Sequence, residues 1–342
     1  MTNTPRKDSG LKRRFGPTAL ITGASDGIGR AFAVQLAEQG FDLILVARRG
    51  DILQEMALDL GTRFGGDVRA VAMDLSDPAA VPDLLSLTES TLVGLVVAAA
   101  GFGSIGPFLD QDMVSEINMV DLNCRSVVAL SYGFGQRMSA SKRGGIVLFG
   151  SLVGFNGAPL SATYAATKSF VQSSAEGIAA EMRPHGVSVL SAAPGPVGTG
   201  FAARAGMQMG QAATPEMVAR SARSALGRQT TVRPGFLSKL LGWSLAMLPR
   251  WGRVRVMGVI MKGMMDKDTP RTAAQNTGAM RPLQRHRLVV GSGRGPIQYK
   301  AKSAATVGFG PLAPTLAQGA GNVPAAPANL RFVPSVKARH NR

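Results

Sequence analysis

Between Thr18 and Val189 short, mostly apolar runs alternate with longer stretches in which apolar residues recur every three or four positions. The short runs are Ala19–Ile21, Leu43–Val46, Val68–Ala72, Leu92–Ala98, Ile146–Phe149 and Val187–Leu190. Runs of this length, apolar on both faces, predict strands buried inside a parallel sheet. The intervening stretches, Ile28–Glu38, Asp51–Leu60, Pro78–Leu87, Met119–Met138 and Tyr164–Met182, predict helices. Repeated strand–helix alternation implies an α/β, doubly wound parallel sheet of about seven strands. Helices cover both faces, joined to the strands by right-handed crossovers.

Residues 15–235 read as one such domain. From 236 to 268 the pattern turns helical, apolar and basic, with Trp243, Trp251 and several methionines. After Thr269 periodicity is lost. The stretch 269–342 is rich in Ala, Gly, Pro and Arg and reads as a disordered basic tail. It is open at this level between an interaction tail and an out-of-frame end of the coding sequence.

The net charge of +17 changes meaning once it is divided along the chain. Residues 1–14 hold five Lys/Arg against one Asp, a basic N-terminal tail. Residues 271–342 hold eleven Lys/Arg and no carboxylate. The body between them is close to neutral and carries no basic stripe interleaved with aromatics, so nucleic acid is not the expected partner. The single cysteine, Cys124, excludes an intramolecular disulfide or a cysteine zinc cluster and suits a reducing, cytoplasmic setting. Three histidines offer little for a metal or a histidine triad, and no metal is expected. No run of 18 apolar residues predicts a membrane span, and Ala19–Ile21 is too short for a signal peptide after Lys12–Arg14.

Thr22-Gly23-Ala24-Ser25-Asp26-Gly27-Ile28-Gly29 follows the first strand and opens the first long helix. Gly23 can make the tight turn, Gly27 admits a pyrophosphate close to the backbone, and Gly29 lets the helix pack against the strand. The helix start then presents N–H groups and a positive dipole end to phosphates. Arg48 lies 19 residues after Gly29, where an NAD-binding protein would carry an acid for the ribose hydroxyl. Arg48 and Arg49 stand there instead. Guanidinium groups clamp a 2′-phosphate, so the reading is NADP(H) rather than NAD(H). The pair also fits two solvated arginines at a helix start.

Tyr164 and Lys168 are spaced i, i+4 and share a helix face. A free tyrosine titrates near pH 10, and a nearby ammonium would bring it toward working pH. Ser151 lies 13 residues before Tyr164, just after a strand, at the carboxyl end of the sheet where such folds bind ligands. Its hydroxyl can polarise a carbonyl there.

At these residues the chain resembles the short-chain dehydrogenase/reductase family, and the resemblance covers about residues 15–235. Thr22–Gly29 is similar to its TGxxxGxG motif, Tyr164 and Lys168 to its YxxxK, and Ser151 to its catalytic serine. Asn123, 28 residues before Ser151, resembles its helix asparagine, and Asp74 its adenine-contacting acid. Asp74 also fits a helix cap, and Asn123 a residue that satisfies helix backbone. Pro194-Gly195-Pro196-Val197-Gly198-Thr199 is similar to its PGxVxT segment over the nicotinamide. The family's NNAG segment reads Ala98-Ala99-Ala100-Gly101, without the asparagines that tie the central strands.

The resemblance implies a Rossmann-like fold and hydride transfer between nicotinamide and a carbonyl. Tyr164 would move the proton, Lys168 would lower its pKa and bind the nicotinamide ribose, Ser151 would orient the carbonyl, and Asn123 would hold a water linking Lys168 to solvent. Ser25, Asp26, Ile28, Leu75, Ala100 and Gly101 would complete the cofactor site with the residues above. A flexible segment, Gly200–Ala213, would form the substrate lid. The apolar stretch 236–265 favours a hydrophobic ketone, aldehyde or secondary alcohol, including 3-oxoacyl-like substrates, and permits peripheral contact with an anionic membrane. A homodimer or homotetramer packed through the helices around 119–140 and 163–183 is also implied. The competing expectation is an NADP-binding scaffold or sensor of the same fold without turnover.

Overall fold

The computed structural model describes residues 9–206, 212–235, 245, 247–265 and 290–291. Seven strands run parallel: β1 (Thr18–Thr22), β2 (Asp42–Ala47), β3 (Val68–Ala72), β4 (Val93–Ala98), β5 (Gly144–Phe149), β6 (Val187–Ala192) and β7 (Thr231–Val232). A two-residue strand, β8 (Val290–Gly291), pairs antiparallel with β3. The sheet order is β7-β6-β5-β4-β1-β2-β3-β8. This is the Rossmann-like doubly wound sheet that the alternation predicts, with an antiparallel edge added. Of the stretch expected as a disordered tail, only Val290 and Gly291 are described. Residues 1–8, 207–211, 236–244 (with Trp243), 246, 266–289 and 292–342 lie outside the described residues.

The helices are α1 (Gly10–Phe15), α2 (Gly27–Glu38), α3 (Gly50–Phe64), α4 (Ala80–Leu87), α5 (Met113–Val120), α6 (Ser126–Ala140), α7 (Ala162–Met182), α8 (Gly200–Arg204), α9 (Pro215–Ala225) and α10 (Arg250–Met264). Strand residues alternate between two cores, because successive side chains leave opposite faces. Ala19, Ile21, Leu43, Leu45, Leu95, Val97, Val147 and Phe149 pack on one side with α2, α3 and α9. Leu20, Ile44, Val46, Val96, Ile146 and Leu148 pack on the other with α4, α6 and α7.

Two departures from the pattern reading have physical causes. The basic start is helical from Gly10. Ser9 accepts from Lys12 N at 3.2 Å, Arg143 donates to the Arg14 carbonyl at 3.0 Å, and Phe15 is buried in the core. The helix expected at 119–138 begins at Met113 and continues through one wide turn, Asp121–Arg125, in which Ser126 N–H donates to the Asp121 carbonyl. Such π-type turns displace the helix register locally and recur at functional sites.

Between β1 and β4 the winding reverses. The chain moves outward through β2 and β3, then returns to pair β4 with the other side of β1. The loops after these two strands therefore part at the carboxyl edge and leave a crevice.

Candidate active site

The crevice begins where Thr22 and Ala98 sit opposite each other at the ends of β1 and β4. Gly23 turns with a φ of 66°, and a Cβ there would stand 2.9 Å from the Ala100 main chain. A side chain at Gly29 would collide with the Gly23 carbonyl, so α2 lies directly on the turn. Asp26 caps α2 by accepting from Gly27 N at 2.7 Å. Gly27 has a φ of 52°, and its Cβ would meet Thr199 Cγ2 at 2.8 Å. Ile28 is half-buried against the core. A groove of about 430 Å³ runs from this turn along α2 toward α9, lined by Asp26, Gly27, Arg30, Glu38, Thr199 and Glu216 among others. The glycine turn and the Pro194–Thr199 segment thus face one space. The bare backbone, the amino end of α2 and flanking arginines fit a dinucleotide pyrophosphate.

At the end of β2, Arg49 donates to Ser25 Oγ at 3.0 Å and to the Ser25 carbonyl at 3.3 Å. Arg48 lies 4.0 Å from Asp74. Both guanidinium groups are exposed, so their present pairings hold them weakly and they are available to a phosphate. Asp74 does not cap a helix. It accepts from Ser76 N and Ser76 Oγ at 3.0 and 2.8 Å, and Leu75 beside it is buried. Pro194 is buried and its carbonyl accepts from Leu152 N at 3.0 Å. Val197 is buried and bridges Ala213, and Gly195 lies half-buried between them.

The polar cluster meets the glycine turn through the loop after β4: Gly23 abuts the Ala100 main chain, and a Cβ at Gly101 would lie 3.0 Å from Asn123 Oδ1 and 3.7 Å from Lys168 Nζ. Ser151 follows β5 directly and its hydroxyl accepts from Val153 N at 3.4 Å. Tyr164 and Lys168 stand on the first turns of α7. The Lys168 ammonium donates to the Phe149 carbonyl at 2.9 Å and lies 5.6 Å from the Tyr164 ring centre. The Ser151 hydroxyl lies near enough to the Tyr164 phenol to favour its charged form. Asn123 sits in the wide turn. Its amide donates to the Phe102 carbonyl at 2.9 Å and to Thr167 Oγ1 at 3.1 Å, and its oxygen accepts from Phe102 N at 3.2 Å. The four residues that the sequence singled out therefore converge.

Two expectations are refined by the geometry. The phenol was expected to be shifted down by Lys168. Burial instead pushes Tyr164 up to about 12, with the Ser151 hydroxyl pulling the other way, although part of the tyrosine side chain remains accessible. The same burial brings Lys168 down to about 8. Desolvation disfavours each charged form and outweighs the opposing pull of Ser151 on the phenol and of Cys124 on the ammonium. Both amide hydrogens of Asn123 are engaged, by Phe102 and Thr167, and one lone pair of its oxygen takes the Phe102 N–H, which leaves one acceptor position and the main chain for any water that this residue holds. The missing NNAG asparagines are partly replaced: Ala100 N donates to Thr22 Oγ1 at 3.0 Å, and Asn123 clamps both main-chain groups of Phe102, one residue past Gly101.

The sequence reading missed several participants. Phe201 in α8 packs on Tyr164 with ring centres 5.5 Å apart. A Cβ at Gly103 would lie 2.8 Å from the Tyr164 ring. Neither carries a spacing signal, since each reaches the ring through a long-range contact. Thr22 and Thr167, inside the Thr22–Gly29 and Tyr164–Lys168 motifs, anchor the loop and the asparagine. Of the extension, Leu245, Met257 and Met261 are buried with Ala158 and Ala165, and Val153, Leu160 and Ile105 pack alongside.

A doubly wound sheet with a glycine turn at its switch point and a polar cluster at the carboxyl edge defines a nucleotide-binding protein of the Rossmann type. The family model for short chain dehydrogenase matches residues 17–210, and the chain belongs to that family. It is 35% identical over 184 residues to a very-long-chain 3-oxoacyl-CoA reductase of Pyrenophora tritici-repentis, covering 51% of this chain and 54% of that protein. It is 30% identical over 180 residues to a 7beta-hydroxysteroid dehydrogenase of Clostridium sardiniense, covering 53% of this chain and 69% of that protein. The match thus spans about half the length of the first relative. Among solved structures, a 7beta-hydroxysteroid dehydrogenase aligns with a TM-score of 0.68 and 25% identity over 72% of this chain and 98% of the other. A short-chain dehydrogenase from Sphingobium yanoikuyae in complex with NADPH aligns with a TM-score of 0.62 and 29% identity over 69% and 97%.

Proposed function

We propose that the chain is an NADP(H)-dependent oxidoreductase that interconverts a hydrophobic ketone or aldehyde with its alcohol. The observation that carries this reading is the convergence of Ser151, Tyr164 and Lys168 at the loop that the glycine turn abuts. Gly23, Ser25–Gly29, Asp74, Leu75, Ala100, Gly101 and the Pro194–Thr199 segment would hold the dinucleotide, with Arg48 and Arg49 on its 2′-phosphate. Bound there, the cofactor supplies the hydride. Tyr164, neutral at working pH, donates its proton to the substrate oxygen in reduction and takes it back in oxidation. Ser151 orients that oxygen and stabilises the charge developing on it. Lys168, charged below about pH 8, holds positive charge next to the phenol as it gives up its proton.

A bulky, greasy substrate, 3-oxoacyl or steroid-like, is supported by the apolar cluster at α10 and by the names of the relatives. A homo-oligomer in a reducing, cytoplasmic setting completes the proposal. A scaffold without turnover had its support in the altered Ala98–Ala100 segment, and the Ala100–Thr22 hydrogen bond weakens that support.

The test pairs cofactor titration with turnover. NADPH should bind more tightly than NADH, and NADPH absorbance should fall when hydrophobic ketones are added. In Tyr164→Phe, binding should persist while turnover drops about 10²–10⁴-fold, the usual worth of a general acid. Tight binding with no wild-type turnover across a broad ketone panel returns the scaffold reading. Binding of neither cofactor overturns the proposal at the glycine turn.

A further inference from the structure

Helix α10 presents apolar residues on two sides, and only one of them is covered among the described residues. Met257 and Met261 face inward and are buried with Ala158, Ala165 and Leu245. On the outer side Trp251 is 65% exposed and Val259 is 74% exposed. Met247, just before the helix, is 79% exposed, and Leu248 and Val256 widen the same apolar surface. Positions 251, 255, 259 and 262 are three or four apart, so Trp251, Arg255, Val259 and Lys262 form one stripe. Arg255 and Lys262 are exposed on it, and Arg250 is exposed at the helix start. The Arg255 guanidinium lies 5.3 Å from the Trp251 ring centre, a cation–π distance. No carboxylate occurs between Glu216 and Asp266 to neutralise these cations.

We propose that this outer face of α10 docks the protein on an anionic lipid surface. Large aliphatic and indole side chains standing in water beside unpaired cations are unfavourable for a free surface. A lipid interface takes both at once. Trp251, Val259 and Met247 enter the boundary between headgroups and acyl chains, and Arg255 and Lys262 meet anionic headgroups. A second copy of this chain fits less well, because a two-fold contact would set the cationic stripe against itself. Nucleic acid would use the cations and leave the aliphatic residues in water.

Docking has a consequence for substrate entry, which rests on the proposed function, whereas docking itself does not. The inner side of α10 packs on Ala165, next in sequence to Tyr164. The docked helix therefore shares a buried apolar cluster with the sequence neighbour of the catalytic tyrosine. A hydrophobic carbonyl compound dissolved in the bilayer would reach the site past α10 without crossing bulk water.

The experiment is flotation of the full chain with phosphatidylcholine vesicles, with and without phosphatidylglycerol. The wild type should float with the anionic vesicles only. Trp251→Ser with Val259→Ser keeps every charge and should weaken binding about tenfold, and Arg255→Glu with Lys262→Glu should weaken it at least as much. Both variants should retain the wild-type melting temperature and turnover of a short, water-soluble ketone. Unchanged flotation of the Trp251→Ser/Val259→Ser variant overturns the proposal, because the basic termini would then be holding the lipid. Absence of wild-type flotation overturns it too. So does a variant that changes sedimentation of the lipid-free protein, which would make this face a protein contact. A wild type that floats yet reduces no ketone would leave docking standing and remove the function.

Discussion

Tyr164 and Lys168 face opposite demands from one environment. Burial favours the neutral form of each, which keeps the phenol protonated and ready to donate but weakens the hold of Lys168 on its proton. The charged ammonium is the form that supports proton transfer from the phenol. Its pKa is depressed, so the active state is complete below about pH 8 and is lost as pH rises through that value. Reductive kcat should therefore be flat at neutral pH and fall on a basic limb near 8. Lys168→Arg keeps its charge at all these pH values. It should turn over more slowly but lose that limb, as pH profiles of kcat for the two proteins would show. A limb at the same pH in the variant would assign it to another group. The pair itself was legible in the sequence because an i, i+4 spacing is local. The sign of its shifts was not, because burial is set by residues distant in the chain: Phe149 supplies the carbonyl and Phe201 covers the ring.

Among the elements, the wide turn Asp121–Arg125 was the least readable. Periodicity placed one helix over 119–138, yet Met113, Val114 and Ile117 begin it earlier and are exposed, so they gave no core-facing stripe to count. A π-type turn inserts no marker residue. It shows only in the contacts it permits, which here let Asn123 span from Phe102 to Thr167. Arg125 then ties the turn to the loop of Asp74 by bonding Asp121 at 2.8 Å and the Ser76 carbonyl. The strands were legible for the opposite reason: β4 and β5 are buried at every position, and a run apolar on both faces has few other folded settings. Asn123→Leu tests the structural weight of the turn. It would leave the Phe102 N–H and C=O without their partner, at a cost of about 2–4 kcal/mol. The melting temperature should fall by roughly 5–10 °C on that basis. Calorimetry of the variant checks this, and an unchanged melting temperature would mean that water or a neighbour satisfies Phe102 equally well.

At the scale of the whole molecule, the near-neutral body moves attention from overall charge to apolar surface. The parallel sheet and the helices on both its faces followed from the alternation of runs, because each crossover can close in only one hand, whereas the strand order and its switch point did not. The surface did not follow, since an exposed leucine looks the same in sequence as a buried one. A stripe runs along the outside of α5 and α6, through Leu109 at 92% exposed and Met113 at 76%, then Ile117, Val128 and Tyr132. Isolated apolar residues on a surface need no explanation, but a continuous stripe of this kind marks a contact with protein or membrane. Cations are sparse on these two helices, with Arg125 and Arg137 both engaged in hydrogen bonds to the body, so an anionic lipid surface is a poor match here. A second copy of the same stripe is a good one, because an isologous contact sets like apolar residues together. Ile117→Glu with Val128→Glu would place four carboxylates in such a contact, two from each protomer. Sedimentation velocity should show the wild type as a dimer or larger and the double variant as a monomer with an unchanged circular dichroism spectrum. A double variant that sediments like the wild type would remove α5 and α6 from the interface, because no apolar contact of this size tolerates four buried, unpaired carboxylates.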